Sequence, residues 1–336
     1  MDAKPAMDQD ILSDVLRSVR LRGALYFHVS CARDWAAEAP SSCEIAGAVM
    51  PGSEHVMEFH VVISGDCWGG VVDGVPVRLA AGDLILFPHG DPHVVSSAPG
   101  MRAPPNPAGY FERMSQPRPF ALHLEASEVC VGAAPEGPGV TTLVCGFLGC
   151  DLRPFNPLIA SLPRLMHVPA RSGQDWVVQC ARQAAAETFE PRPGSSAMLE
   201  RLSEMTFIEA VRRYLGSLPE GSQGWLAGLR DRFVGRAIAL LHDAPAEPWT
   251  VDELGRRIGL SRSALHERFS GMVGQTPMQY LASWRMQVAA GLLRDTAATV
   301  ASVALDVGYQ SEASFARAFK RAVGKPPALW RRQSRT

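Results

Sequence analysis

Three textures of apolar and polar positions follow one another along the 336-residue chain. Residues 8–20 place Ile11, Leu12, Val15, Leu16 and Val19 at helical spacing and predict a short helix. From Leu21 to about Leu148 the pattern changes to short β-type runs broken by Gly, Pro and Asp, at 24–29, 58–63, 75–79, 83–87, 121–124 and 141–147. Several short strands between such turn signals predict a β-sandwich or barrel. Residues 97–119 are rich in proline and read as a long irregular excursion between strands.

After Pro163 the helical period returns. Residues 175–190 predict a helix ended by Pro191 and Pro193. A second helix over 195–218 lines up Leu199, Leu202, Met205, Ile208, Val211 and Leu215 on one stripe. Two helices joined by a short Pro-Gly turn form an antiparallel hairpin. It either packs on the barrel or lends part of its stripe to a homodimer interface. The stretch PEGSQGWLAG, residues 219–228, has the composition of a linker.

Beyond Gly228 the chain is helical and repeats itself. Residues 261–269 read SRSALHERF and residues 311–319 read SEASFARAF, an offset of 50 residues. An apolar-patterned helix and a glycine precede each copy, 251–258 then Gly259, and 300–307 then Gly308. A short helix, a glycine turn and a second helix opened by Ser is the helix-turn-helix pattern. Ser261 and Ser311 are the expected N-caps. Leu265 with Phe269, and Phe315 with Phe319, lie four apart and anchor the second helix of each copy. Arg262, Ser263, His266 and Glu267 are left on the outer face of the first copy, and Glu312, Ser314, Arg317, Lys320 and Arg321 on that of the second. Between the copies, residues 276–294 form one amphipathic helix with Leu281, Trp284, Val288, Leu292 and Leu293 inward. At ~1.5 Å per residue it is roughly 28 Å long. Two recognition helices held that far apart reach successive major-groove segments, ~34 Å being one DNA turn.

Charge agrees with this division. The formal net charge is -1, yet residues 229–336 hold 16 Arg and Lys against 9 Asp and Glu, leaving 17 against 25 in residues 1–228. An acidic domain joined to a basic one fits a sensor attached to a polyanion-binding module. The apolar and charged fractions, 46% and 20%, are those of an ordinary globular protein. No apolar run reaches the 18 residues of a membrane span, and the acidic N-terminus lacks the sign of a secretory leader. Seven cysteines at irregular spacing do not form a disulfide framework, so a reducing cytoplasm is expected.

Residues ~230–331 resemble the DNA-binding domain of the AraC/XylS family of transcription regulators. The stretch VASVALDVGYQSEASFARAFKRAVGKPPALWR carries the match most strongly. By resemblance, Ser263, His266 and Glu267 stand at base-edge positions of the first recognition helix, and Glu312, Ala313 and Arg317 at those of the second. Arg317 suits a bidentate pair with guanine O6 and N7. Arg262, Arg268, Lys320 and Arg321 read as phosphate contacts, which position the protein without specifying sequence. Small Ser263 and Ala264 replace bulkier side chains, which predicts weaker base reading by the first helix.

Residues 82–93, GDLILFPHGDPH, place Gly82, Pro88, Gly90 and His93 at the fixed positions of the second cupin motif, with Ser97 where its usual Asn falls. Glu58 stands seven before Gly65, as at the end of the first cupin motif. The two histidines that should precede it are absent, Gly52, Ser53 and Glu54 falling there with only His55 close. Residues ~21–150 therefore resemble a cupin barrel of the kind joined to AraC-type domains, with an incomplete metal triad. A cupin metal site needs about three converging imidazole or carboxylate ligands. Glu58 and His93 supply two, and His55, His60, His89 or His123 a third, so a divalent metal in the barrel is a candidate cofactor. Without a metal, the same residues line a small-molecule pocket.

The barrel is also similar to that of a subgroup of these regulators in which cysteine oxidation switches DNA binding. Cys31, Cys43, Cys67, Cys130, Cys145 and Cys150 are then redox candidates, Cys67 and Cys145 foremost.

The expectation is an α+β multidomain protein: a cupin-like sensor barrel over 1–163, a helical hairpin over 164–218, a linker over 219–228, and an all-α tandem helix-turn-helix domain over 229–336. It regulates transcription by binding promoter or operator double-stranded DNA, responds to a small-molecule or oxidant effector, and engages RNA polymerase if it activates. The alternative is a metal-dependent cupin oxygenase or isomerase carrying a DNA-binding domain. The broken first motif disfavours that reading, and no nucleophile elbow, P-loop or dinucleotide fingerprint offers another catalyst.

Overall fold

A computed structural model describes residues 10–32, 34–104, 120–125, 128–131, 139–171 and 175–334. Most of the proline-rich excursion expected at 97–119 lies outside the described residues. The chain divides into two compact units.

The first unit comprises residues 21–150 and 162–217. Among the described residues it carries β1 (Arg22–Cys31), β2 (Ala36–Ala39), α2 (Ser42–Val49), β3 (His55–Ser64), β4 (Asp66–Val71), β5 (Val77–Ala80), β6 (Leu84–Phe87), β7 (His93–Ser96), β8 (Phe120–Glu125), β9 (Glu128–Val131), β10 (Thr141–Cys150) and β11 (Met166–Val168). The helices α4 (Trp176–Phe189) and α5 (Ser195–Ser217) follow. One sheet runs β11-β6-β3-β10-β1-β8-β9 and the other β2-β7-β4-β5. A single core joins them, with Phe27, Val29, Val62, Phe87 and Phe147 from the first sheet and Cys67, Leu79 and Val95 from the second. Gly69 lets the sheets close, since a Cβ there would stand 2.8 Å from Ile85 Cδ1. Two glycines of the cupin-like motif serve its turns. Gly82 and Gly90 hold φ of 97° and 68°, in the left-handed region that disfavours a side chain.

The other face of the larger sheet is covered by the α4–α5 hairpin, which packs on β1. Burial on both faces is why β3 and β10 read as near-continuous apolar runs rather than alternating ones. Contact with α5 is close at Gly23, where a Cβ would clash with the Glu200 carbonyl and Ser203 Cβ. That contact selects the small face of α5, with Ser203, Thr206 and Ala210 buried beside Leu199, Leu202, Phe207 and Val211. The expected stripe is rotated accordingly, and Met205 is 48% exposed. Asp175 caps α4 through the Val177 N–H and accepts two bonds from Arg213 of α5, at 2.6 and 2.7 Å. The guanidinium holds this carboxyl down to about 2.

The second unit takes in residues 1–20 and 151–161 as well as 218–336. Its helices among the described residues are α1 (Ile11–Ser18), α3 (Pro157–Ser161), α6 (Trp225–Arg230), α7 (Arg232–Asp243), α8 (Val251–Ile258), α9 (Arg262–Val273), α10 (Pro277–Asp295), α11 (Val300–Asp306), α12 (Glu312–Val323) and α13 (Pro327–Ser334). These boundaries differ from those read in the sequence. The segment 219–228 does not serve wholly as a linker, because Trp225, Leu226 and Ala227 of α6 are buried. The N-terminal helix, counted with the barrel, packs on α7 and α10.

Both helix-turn-helix copies form as the repeat implies. Thr250, Ser261, Thr299 and Ser311 cap α8, α9, α11 and α12 with their side-chain oxygens. Gly259 and Gly308 make the turns in the left-handed conformation, and Gly274 and Gly324 end the second helices the same way. The repeat extends beyond the recognition helices, since Pro277 and Pro327 open α10 and α13 at the same 50-residue offset.

Gln287, 4% exposed on α10, knits the discontinuous pieces of this unit together. Its Nε2 donates to the Ser18 carbonyl at 2.7 Å and its Oε1 accepts from the Phe155 N–H at 3.0 Å. Gln287→Leu keeps the size but leaves two half-buried backbone groups without these partners, so it is expected to destabilise this unit by about 1 kcal/mol. Urea denaturation followed by tryptophan fluorescence measures the loss.

Candidate functional sites

The outward faces of α9 and α12 form the first site. Leu265, Phe269, Phe315 and Phe319 are fully buried and fix which faces remain outside. Arg262, Ser263, His266, Glu267 and Arg268 are exposed on α9, and Glu312, Ala313, Arg317, Lys320 and Arg321 on α12. Ser314 is half-buried, and its hydroxyl donates back to the Ser311 carbonyl at 2.9 Å, within its own helix cap. Two arginines have intramolecular partners. Arg262 meets Asp252 of α8 at 3.1 Å across an exposed surface, a pairing that water largely screens. Arg268 is committed more firmly: it makes three hydrogen bonds to Asp231, which also caps α7 through the Phe233 and Val234 N–H groups. The Arg268 guanidinium holds the Asp231 carboxyl below its usual range. Expected at a phosphate, Arg268 is instead placed as a tie between α9 and α7. Among the described residues Arg317, Lys320 and Arg321 have no ion-pair partner, so their charges face solvent.

The second site lies inside the barrel. On a strand, side chains two apart share a face, so Glu58 and His60 of β3 both turn into the core with Val56 and Val62. His93 of β7 reaches them from the opposite sheet. The His60 and His93 Nε2 atoms stand 2.9 Å apart, and the Glu58 carboxylate oxygens lie 3.9 Å from His60 Nε2 and 3.7 Å from His93 Nε2. All three residues are buried. Phe87 stacks on the His93 ring with centroids 3.7 Å apart and fixes its plane.

The other imidazoles considered as a third ligand are held elsewhere. His55 is three positions from Glu58, hence on the opposite face, and its Nε2 is 2.6 Å from the Pro88 carbonyl. His89 Nε2 is 2.8 Å from the Leu162 carbonyl. His123 stands opposite Cys130 on β8. The structure thus brings together Glu58, His60 and His93 and leaves out His55. In the sequence His60 is one of four possible thirds and His55 is favoured for its nearness to the expected motif position, whereas the period-two rule is the signal that separates the two.

Burial sets the charge of the cluster. Glu58 is pushed up to about 8 by desolvation, and its Oε2 has no hydrogen-bond partner. Desolvation, and after it the neighbouring His93, hold the His60 imidazole well below its usual range. Desolvation lowers His93 to about 4. At neutral pH both imidazoles are neutral, and hydrogen-bond polarity then follows from one end. The Asp91 carbonyl, 2.9 Å from His93 Nδ1, only accepts, so His93 carries its proton on Nδ1. With no cation between them, the His60 Nε2–H donates to His93 Nε2, and His60 Nδ1 accepts from the Cys145 thiol at 2.8 Å. The cluster also fits the metal that a cupin-like barrel implies: two imidazole nitrogens and a carboxylate, one of whose oxygens is unpartnered, are a donor set for a borderline divalent cation.

Cys67 and Cys145 lack the features of a sensor thiol. Both are buried, and desolvation raises Cys67 to about 12 and Cys145 well above the usual thiol range. A reactive cysteine needs exposure and thiolate character. The exposed cysteine among the described residues is Cys43, near the start of α2.

The Glu58 shift makes a stability prediction whose sign is fixed. The folded chain keeps the carboxyl proton up to about pH 8, while the unfolded chain loses it near 4.5. Its stabilising effect is complete below pH 4.5 and is lost as pH rises to about 8. The lowered histidines act in the opposite sense, through pH 6.5 and about a unit above it, so the Glu58 effect is read as the difference between wild type and Glu58→Gln. In chelator, the stability of wild type relative to Glu58→Gln falls between pH 6.5 and about 8. Urea titrations at the two pH values measure it.

Residues 10–216 match the family described as Cupin, and residues 254–333 the one described as Helix-turn-helix domain. A Streptomyces lividans protein named "Putative AraC-like transcription regulator" is 34% identical over 96% of this chain and 98% of its own length. The "HTH-type transcriptional regulator AlkR" of Acinetobacter baylyi is 26% identical over 97% of this chain and 100% of its own. Among solved structures, the DNA-binding domain of AdpA with a target DNA is 28% identical, covers 31% of this chain and 94% of that one, and has a TM-score of 0.30. Among the described residues no helix is long and apolar enough to cross a membrane. The chain belongs to the AraC-like transcription regulators, with a cupin domain ahead of its DNA-binding helix-turn-helix domain.

Proposed function

We propose that this regulator reads two adjacent major-groove segments of its operator, one with α9 and one with α12, and that an effector held in the barrel sets its affinity for DNA. The observation that carries the reading is the pair of exposed, capped helices repeated at a 50-residue offset, the second presenting an unpartnered guanidinium. In this reading Arg317 pairs with guanine O6 and N7, and Glu312 and Ala313 meet neighbouring base edges. Ser263, His266 and Glu267 read the first segment, with shorter reach. Arg262, Lys320 and Arg321 hold phosphates. Arg268 is left out, because its guanidinium belongs to Asp231.

An effector changes DNA affinity only by binding two arrangements of the protein unequally. The buried polar groups of the barrel support it as the place where such a ligand is held, and a cytoplasmic regulator with these properties is expected to work with RNA polymerase and with a second copy of itself. Bound in the barrel, a divalent cation would be held by Glu58, His60 and His93 and would supply a fixed positive charge.

Fluorescence anisotropy of the chain on its own upstream DNA and a scrambled control, at fixed salt, tests the reading. Arg317→Ala is expected to cost about 1–3 kcal/mol on the preferred sequence and little on the control. Lys320→Ala weakens both alike and lowers the salt slope by about 0.9. Arg268→Ala reduces folding stability more than it reduces selectivity. Equal binding of the two DNAs by wild-type protein overturns the reading.

A further inference from the structure

We propose that His60 completes a divalent-metal site with Glu58 and His93, and that the Cys145 thiol is the positioning residue that sets which nitrogen of His60 faces the ion. His60 stands at a variable position between Glu58 and Gly65 of the first cupin-like motif, two residues beyond Glu58. The inference concerns the barrel alone and stands apart from the DNA reading, whose failure would leave it untouched.

Distance is the first support. Two ligand atoms on one ion, each about 2.0–2.1 Å from it, stand at most about 4.2 Å apart. The imidazole pair at 2.9 Å falls inside that limit, as do Glu58 Oε2 to His93 Nε2 at 3.7 Å and Glu58 Oε1 to His60 Nε2 at 3.9 Å. With one ligand atom from each residue, all three lie within 4.8 Å of one another. Two nitrogens at those bond lengths are about 2.9 Å apart when they subtend a right angle at the ion, and about 3.3 Å at a tetrahedral angle. The imidazole pair therefore needs little or no movement.

Partner chemistry is the second support. A metal-bound imidazole usually donates its other N–H to a carbonyl, a carboxylate or water, and that partner fixes the tautomer. His93 has such a partner in the Asp91 carbonyl, so its Nε2 already offers a lone pair. His60 differs, because its Nδ1 faces a thiol at 2.8 Å. A thiol both donates and accepts, weakly in each role. Without an ion, the S–H donates to Nδ1 and the His60 proton sits on Nε2. With an ion on Nε2, the His60 proton moves to Nδ1 and donates to the sulfur, which keeps its own proton. The proton count on the pair is unchanged. Cys145 thus permits both forms of His60, whereas a pure donor would lock the imidazole away from the ion.

The test is a cobalt(II) titration of the full chain, read by visible absorbance, with zinc(II) competition and 15N–1H spectra of histidine-labelled wild-type protein. One ion per chain is expected. Glu58→Gln and His60→Asn each weaken binding at least about tenfold, while His55→Ala does not change it. Cys145→Ala, which removes the acceptor, weakens binding about 10–100-fold. Cys145→Ser restores it, which a packing defect alone would not do. On adding zinc to wild-type protein, the His60 proton signal moves from Nε2 to Nδ1. That readout needs no variant, so it decides the matter even where a substitution unfolds the barrel. Binding below a tenth of an ion per chain, binding indifferent to His60→Asn, or a His60 tautomer unmoved by zinc overturns the proposal.

Discussion

A twelve-residue helix in water barely holds its shape unaided, and the two helices that face outward here are each twelve residues long. Everything the helical unit offers to a partner depends on how they are pinned. Each has two fully buried anchors four positions apart, Leu265 with Phe269 and Phe315 with Phe319. The anchors of the second copy join Tyr309 and Trp330 in one aromatic group, and Phe269 of the first meets Tyr280 at the head of α10. Because packing and capping hold the helix, the outer positions other than Arg268, which is tied to Asp231, carry little duty to stability. Arg317 can be a bare charge on a rigid support only because Phe315 and Phe319 are not.

The barrel makes the opposite choice. Among the described residues its inward positions are apolar except for a patch where Glu58, His60 and His93 sit among Phe87, Phe147 and Val62. Removing a carboxyl from water without a full set of partners costs stability. The imidazole pair is satisfied through Asp91 and Cys145, but the Glu58 Oε2 is not. A core needing only to be filled would be more stable with an isosteric apolar group there. Retention of the acid, in a motif whose glycines and proline shape the loop leading to His93, is what marks the interior as a site.

Much of this was legible in the sequence, and what was missed follows a physical rule. The repeat at 261–269 and 311–319, its serine caps and its turn glycines located the helix starts of both helix-turn-helix copies to within a residue, because caps and left-handed turns are local requirements. The spacing from Glu58 to His60 is equally local, but without the strand period applied to it His60 stays one of four possible thirds and His55 is favoured. Patterning states that a face is buried without saying against what. Met205 fits the helical stripe, yet lies outside because Gly23 of β1 admits the small side of α5. Arg268 has the look of a phosphate contact and is instead bonded to a residue 37 positions earlier.

The same limit hides the boundaries of the units. The sequence places a break near 219–228, as if a contiguous C-terminal piece were complete. The structure builds the helical unit from three stretches, and the chain passes between units where β1 and β10, paired through Arg22 and Gly149, begin and end. Just outside that pair the Asp151 N–H donates to the Val19 carbonyl at 2.9 Å, and further on Gln287 and Arg294 of α10 hold the two flanking segments. His242, stacked flat on Trp284, points its Nδ1 toward Asp14 of α1. A fragment beginning at the apparent linker would therefore lack the partners of α10's buried amide. The helix that spaces the two helix-turn-helix copies takes part of its support from Ser18, Asp151 and Phe155, which belong to its own unit although they are more than a hundred positions away in the chain.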